Sequence, residues 1–303
     1  MPSNTRDIKR RIKSVGNIKQ ITRAMQLVAT SKMRRAQKRS VDADAYAYGA
    51  LEILEHLTKN AEGIREHPFW REQASEKVAI IIITSNRGFC GGFNVTLLGS
   101  VLQFIRETRG SGQEIFAVTI GKKGRVFMQR IGIPIIADFM LGDYFTIADM
   151  GPIAKIATED FVRGEYKSVF MAFNQFINTL VQKPVIRKVL PLDVSVFKAI
   201  AEIDQKAESF FFKEESRGSK YIFEPAPSEV FATLVPHLLE VEIYKALLES
   251  GASEHSARMV AMKNSTDKAG ELIDELRLVY NQARQAGITK EIAEISSGAM
   301  ATK

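Results

Sequence analysis

Ile18-Lys-Gln-Ile-Thr-Arg-Ala-Met-Gln-Leu-Val-Ala-Thr-Ser-Lys-Met-Arg-Arg35 places Thr22 and Ala29 one heptad apart, inside a longer series of small and apolar residues. That series reaches back to Val15 and Ile8 and forward to Ala36, Ala43, Ala50 and Leu57. Ile12, Ile18, Ile21, Met25, Val28 and Ile53 widen the stripe. No proline interrupts residues 6–58, so the spacing predicts one helix of about fifty residues.

The other end of the chain repeats the device. From Ser228 onward, one heptad series runs Leu234, Val241, Leu248, His255, Met262, Ala269, Leu276 and Ala283. Its companion runs Leu238, Lys245, Ala252, Met259, Thr266, Ile273 and Tyr280, and only His255, Lys245 and Thr266 depart from the apolar or small pattern. A seven-residue period calls for a left-handed supercoil. Pro236 lies early in this second helix and is a place for a kink. At ~1.5 Å per residue, each helix would be roughly 80 Å long. A globule of this chain length would be roughly 50 Å across. The two stripes are expected to pair as a long antiparallel coiled coil formed by the N- and C-terminal helices. Past Ala283, Ile288, Ile292 and Ile295 keep helical spacing where the first helix should have run out, so this tail needs another protein to cover it.

Between the helices the pattern changes. Val78 to Thr84 is a continuous β-branched run, as for a strand buried on both faces. Glu114 to Ile120, Ile133 to Phe139, Tyr166 to Phe173 and Pro184 to Leu190 are further strands. Helices are predicted from Asn94 to Thr108, Lys122 to Arg130 and over 152–163. The alternation defines a central Rossmann-like α/β domain with a mainly parallel sheet. Residues 204–225 read as a polar, Phe-containing hairpin near Arg217-Gly218-Ser219. The division is thus 1–60, first coiled-coil helix; 61–227, α/β domain; 228–303, second coiled-coil helix with its tail.

Composition narrows the class. At 45% hydrophobic and 25% charged residues the chain is neither disordered nor collagen-like. The single cysteine, Cys90, excludes an internal disulfide framework, and the four histidines show no metal-protease spacing. No run approaches the ~18 apolar residues of a membrane span. The opening Met1 to Asp7 has no signal core, so a soluble protein of a reducing compartment is expected.

Charge is concentrated. Residues 6–39 hold twelve Lys or Arg and one acid, Asp7, which leaves residues 40–303 at −4 within a net +7. Such a segment could neutralise nucleic-acid phosphates, meet an acidic protein partner or form a solvated face. The absence of aromatics before Tyr46 removes a stacking platform for bases. Thr84-Ser-Asn-Arg-Gly-Phe-Cys-Gly-Gly-Phe-Asn94 is the most enzyme-like stretch, because glycines after a strand can bring backbone N–H groups to a phosphate. It lacks the spacing of a dinucleotide fingerprint and the Gly-Lys-Ser/Thr ending of a P-loop. A turn that needs left-handed backbone explains the same glycines. A nucleotide-binding enzyme and a basic nucleic-acid-binding coiled coil therefore stand as the competing classes.

Three blocks together resemble the gamma subunit of F-type ATP synthases: Ile18 to Arg35, Thr84 to Asn94, and Ala257 to Lys263 with Tyr280 to Ala299. The resemblance implies a non-catalytic central-stalk rotor. Its coiled coil would sit within a hexamer of alpha and beta subunits, and its globular end on the membrane c-ring beside epsilon. No cofactor, metal or catalytic residue and no nucleic-acid partner is implied. By motif position, Met25 and Arg258 would lie near the acidic lever of a beta subunit, and Arg284, Gln285 and Thr289 at its catch loop. Ile288, Ile292, Ile295 and Met300 would line a bearing at the hexamer top. Peripheral association with the cytoplasmic face of a bacterial inner membrane follows. Asn86 stands where the family commonly has Asp, and the two-cysteine insertion of redox-controlled versions is lacking.

Overall fold

The computed structural model describes residues 5–60, 66–192, 224 and 226–301, and the hairpin expected over 204–225 lies outside them but for residue 224. The side chains of Ala50 and Met300 also fall outside the described residues. The chain divides into two compact units, one of Met1–Ser31 with Arg258–Lys303 and one of Lys32–Ala257. The two long helices, α1 (Thr5–Asn60) and α5 (Pro227–Ala301), each contribute to both.

In the larger unit the elements between the long helices alternate as the sequence predicts. They are β1 (Lys77–Ile83), α2 (Phe93–Gly110), β2 (Glu114–Ile120), α3 (Lys122–Arg130), β3 (Ile135–Phe139), α4 (Gly151–Val162), β4 (Ser168–Phe176) and β5 (Gln182–Leu190). The sheet order is β3-β2-β1-β4-β5. The pairs β1–β2, β1–β4 and β2–β3 are parallel, whereas β4–β5 is antiparallel. The direction of β5 follows from its connection: Ile177 to Val181 is far too short for a crossover. Asn178 Oδ1 shapes that turn by accepting from the Leu180 and Val181 amides at 2.9 Å each.

Strand β1 occupies the centre of the sheet. Every residue after Lys77 is buried, and period-2 alternation sends successive side chains to opposite layers. Val78, Ile80 and Ile82 pack with Leu97, Val101 and Ile105 of α2 and Met128 of α3. Ala79, Ile81 and Ile83 pack with Phe161 of α4, Phe231 and Ile243 of α5, and Leu54 and Leu57 of α1. The helices thus cover both faces. β3 starts at Ile135, two residues later than expected, because the preceding Pro134 has no N–H for the ladder; its carbonyl accepts from Ala117 instead, at 2.9 Å.

The smaller unit is a helix pair. Thr266 and Thr22 hydroxyls meet at 2.7 Å, and a Cβ built on Gly270 would lie 3.0 Å from Lys19 Nζ. As one helix steps back from Thr22 to Lys19, its contact advances from Thr266 to Gly270, so the two run antiparallel. Ile8, Thr22, Ala29, Met262, Thr266 and Ala269 are buried. The stripe is narrower than the sequence suggests: Ile18, Ile21 and Val28 are 50%, 59% and 54% exposed. A two-helix seam covers only the a and d positions, which leaves the flanking apolar residues uncovered. Ile53, in the larger unit, is 37% exposed. Along α5, all fifteen heptad positions from Leu234 to Ala283 are buried or half-buried.

Candidate functional site

Helix α5 changes character after Ala283. Every described side chain from Arg284 to Gly298 is exposed, including Ile288 at 48%, Ile292 at 62% and Ile295 at 73%. Ile288 and Ile292 are four residues apart, and Ile288 and Ile295 seven, so they share one face with Arg284. Thr289 turns its hydroxyl back onto the Gln285 carbonyl at 3.0 Å. Arg284, Gln285, Ile288 and Thr289 are thereby gathered on two turns of uncovered helix. Met25 and Arg258 are half-buried on the helix pair. Carried from Thr22, the register puts Met25 opposite the turn that holds Met262 and Lys263, with Arg258 a further turn along. The side chain of Met300 is outside the described residues.

The glycine turn after β1 closes on itself. The Ser85 amide donates to Asn94 Oδ1 at 3.1 Å. The Ser85 hydroxyl donates to the Arg87 carbonyl at 2.7 Å and accepts from the Asn94 amide at 2.8 Å. Cys90 is buried, with its Sγ 3.3 Å from the Asn94 Nδ2. Thr84 Oγ1 accepts from the Gly124 amide at 2.8 Å, binding the turn to the start of α3. These bonds tie the turn to the first turn of α2 and to α3. Among the described residues no cluster of three or more His, Cys, Asp or Glu could hold a metal ion. Asn86 joins two loops, donating from Nδ2 to the Leu141 carbonyl at 2.7 Å and accepting at Oδ1 from the Lys122 amide at 3.2 Å. A carboxylate at this position could accept but not donate, so the amide suits the local geometry. Phe89, at the tip, is 74% exposed and holds φ at 62°.

Sequence reasoning missed where part of the basic segment goes. Lys32, Arg35 and Arg39 of α1 reach Asp143, Tyr144 and Phe145 in the loop after β3. Lys32 Nζ lies 2.6 Å from Asp143 Oδ2. That hydrogen bond holds the Asp143 carboxyl below the usual carboxylate range, with His255 and Arg87 adding smaller attractions. The one-turn spacing of the three cations was legible, but their partners lie more than a hundred residues away.

The fold is thus an antiparallel helix pair in one unit and a five-stranded α/β sheet in the other, with the long N- and C-terminal helices contributing to both. The chain belongs to the family of ATP synthase gamma chains. Residues 4–302 match the ATP synthase family. The ATP synthase gamma chain of Roseiflexus castenholzii is 42% identical over 303 residues, covering 99% of each chain. That of Legionella pneumophila strain Corby is 37% identical over 300 residues, again covering 99% of each. A rotor chain of the Euglena gracilis mitochondrial ATP synthase shares the fold with TM-score 0.58 at 19% identity, over 94% of this chain and 98% of that one. The central stalk and c-ring structure from Tetrahymena thermophila gives 0.57 at 22%, over 80% and 98%.

Proposed function

We infer that this chain is the rotor of the central stalk of a rotary ATP synthase, coupling rotation of a c-ring to the conformational cycle of an alpha–beta catalytic hexamer. The carrying observation is the end of the buried or half-buried heptad stripe at Ala283, after which an apolar helical face continues that no described residue covers. In this role residues 1–60 and 228–303 form the shaft and 61–227 the base. Arg284, Gln285 and Thr289 meet the catch loop of a beta subunit, and Ile288, Ile292, Ile295 and Met300 run in an apolar bearing. Met25 and Arg258 face the acidic lever of a beta subunit, where the surplus positive charge of residues 6–39 gives electrostatic complementarity.

The chain itself performs no covalent step. Its glycine turn is held together by the Ser85–Asn94 hydrogen bonds. No helix among the described residues is long and apolar enough to cross a membrane. Membrane association is peripheral, through the c-ring and epsilon, at the cytoplasmic face of the bacterial inner membrane. Affinity purification of the tagged full-length chain tests the reading: ATPase alpha and beta subunits accompany it, and recovery of the chain without either would sink the assignment.

A further inference from the structure

Lys32, Arg35 and Arg39 stand about one turn apart on α1, and they engage three consecutive residues of the loop that follows β3. Lys32 pairs with Asp143 at 2.6 Å. Arg35 donates to the Tyr144 hydroxyl, and its guanidinium carbon lies 5.5 Å from the centre of that ring. Arg39 donates to the Phe145 carbonyl and, at 3.0 Å, to the Tyr244 hydroxyl of α5. Its guanidinium also lies 5.0 Å from the Phe145 ring centre and 5.8 Å from that of Tyr244. Those two rings meet edge to face, with centroids 5.8 Å apart at 81°. The loop after β3 and helix α5 converge on one arginine of α1.

Such contacts have direction. A planar guanidinium held by forked hydrogen bonds and by ring faces resists being swung about the helix axis. The other fully buried side chains of α1 among the described residues of this unit, Met33, Leu54 and Leu57, are apolar and carry no hydrogen bond or charge to add direction to their packing. We propose that the Lys32–Arg35–Arg39 ladder is the rotational lock of α1 on the α/β unit. It fixes the angle of the helix against the sheet and α5, so that turning force on the sheet enters the helix at residues 32–39. These are positioning residues, and the proposal rests on the rotor reading above.

The test uses the assembled complex containing the full chain, with the hexamer immobilised, catalysis stalled and a rod attached to the α/β unit. The angular spread of the rod at rest reports torsional stiffness. The double variant Arg35→Gln/Arg39→Gln loses stiffness and the spread widens, while ATP hydrolysis without load is retained. Arg39→Lys, which keeps the charge over the rings, recovers part of the stiffness. Arg34→Gln, an exposed neighbour on the same helix, leaves the spread unchanged. Should the double variant not assemble, Lys32→Gln and Tyr244→Phe carry the same comparison, each removing one contact. An unchanged spread in an assembled variant overturns the lock while leaving the rotor reading intact. Failure of the unaltered chain to capture alpha and beta subunits overturns the rotor reading itself.

Discussion

Thr22 and Thr266 bring their hydroxyls to 2.7 Å across the helix pair, and both side chains are buried. Each is a polar exception in its own heptad stripe, and these two face each other. Each hydroxyl also reaches a carbonyl of its own helix, Lys19 for Thr22 at 3.1 Å and Met262 for Thr266 at 2.8 Å. A shift of the helices along each other would break the contact between the hydroxyls and set each against an apolar neighbour, so the pair favours this register in the manner of a buried polar seam residue. Thr22→Val and Thr266→Val should each cost about 1 kcal/mol in urea unfolding of the isolated chain. The double variant should cost less than the two together by about 0.5 kcal/mol or more, as expected for residues in contact. Strict additivity would show that the hydroxyls are energetically independent.

Two glycines should respond in opposite directions to alanine. Gly121 has φ 99°, and a Cβ there would lie 2.2 Å from the Thr84 backbone oxygen. A backbone carbonyl just past the end of β1 cannot swing aside as a side chain can, so Gly121→Ala should destabilise by about 3 kcal/mol, at the upper end for a strained position. At Gly270 the nearest atom is Lys19 Nζ at 3.0 Å, the far end of a flexible side chain that can swing aside. Removing a mid-helix glycine there should stabilise by about 0.5–1 kcal/mol. Thermal melts of the two variants decide the matter, and a loss of stability in Gly270→Ala would mean that Lys19 is held in place.

Arg187 of β5 and Glu242 of α5 form an ion pair at 3.5 Å, with side chains 20% and 14% exposed. Burial pushes the Glu242 carboxyl above its usual range, while Arg187 and Lys245 pull it back in part. Arg187→Met removes the main partner and leaves a buried carboxylate, which costs about 3 kcal/mol at neutral pH. Because the folded-state value lies above the unfolded one, protonation favours the fold, and stability falls as pH rises through the raised value. The deficit of the variant should therefore shrink as pH is lowered toward that of an ordinary glutamate. Urea midpoints measured from neutral to mildly acidic pH check the sign, and a deficit constant with pH would exclude Glu242 as its source.

Much of the fold could be read from the residues because local and tertiary preferences agree. The bounds of β2 and α3 coincide with their predicted ranges, and β1 shows the two-sided burial that its β-branched run implies. What was not legible depends on contacts between distant positions. Asp143, Tyr144 and Phe145 carry no local signal that three cations from α1 will meet them. Ile18, Ile21 and Val28 belong to an apolar helical stripe in sequence, yet a single partner helix cannot cover so wide a face. The end of the buried stripe at Ala283 was legible from the heptad positions before it, whereas Arg258, Arg284, Gln285 and Thr289 were named by the family resemblance and not by the pattern.

Met25 bears on the proposed beta-lever contact. It is half-buried and lies beside exposed Ile21 and Val28 on the same helix. Met25→Lys adds a cation where an acidic partner is proposed, and in the assembled complex it should lower ATP-driven proton pumping relative to hydrolysis. The extra attraction between lysine and carboxylate is about 1 kcal/mol at a partly exposed site, so raised salt should restore part of the ratio. A pumping-to-hydrolysis ratio equal to that of the unaltered complex would remove Met25 from the contact.

The tail offers a comparison in which the isolated chain is its own control. Ile292 is 62% exposed, so Ile292→Glu should change the unfolding of the isolated chain by no more than about 0.5 kcal/mol. In the complex, a bearing that covers the isoleucine would forgo about 1.5–3 kcal/mol of apolar burial and would have to accommodate a charge. Dissociation of the chain from the hexamer, followed by dilution and gel filtration, should then be faster for Ile292→Glu, and likewise for Ile288→Glu on the same face. Gly287→Ala, a small change beside them, should leave release unchanged. Equal release rates for the glutamate variants and the unaltered chain would mean that nothing apolar encloses this face.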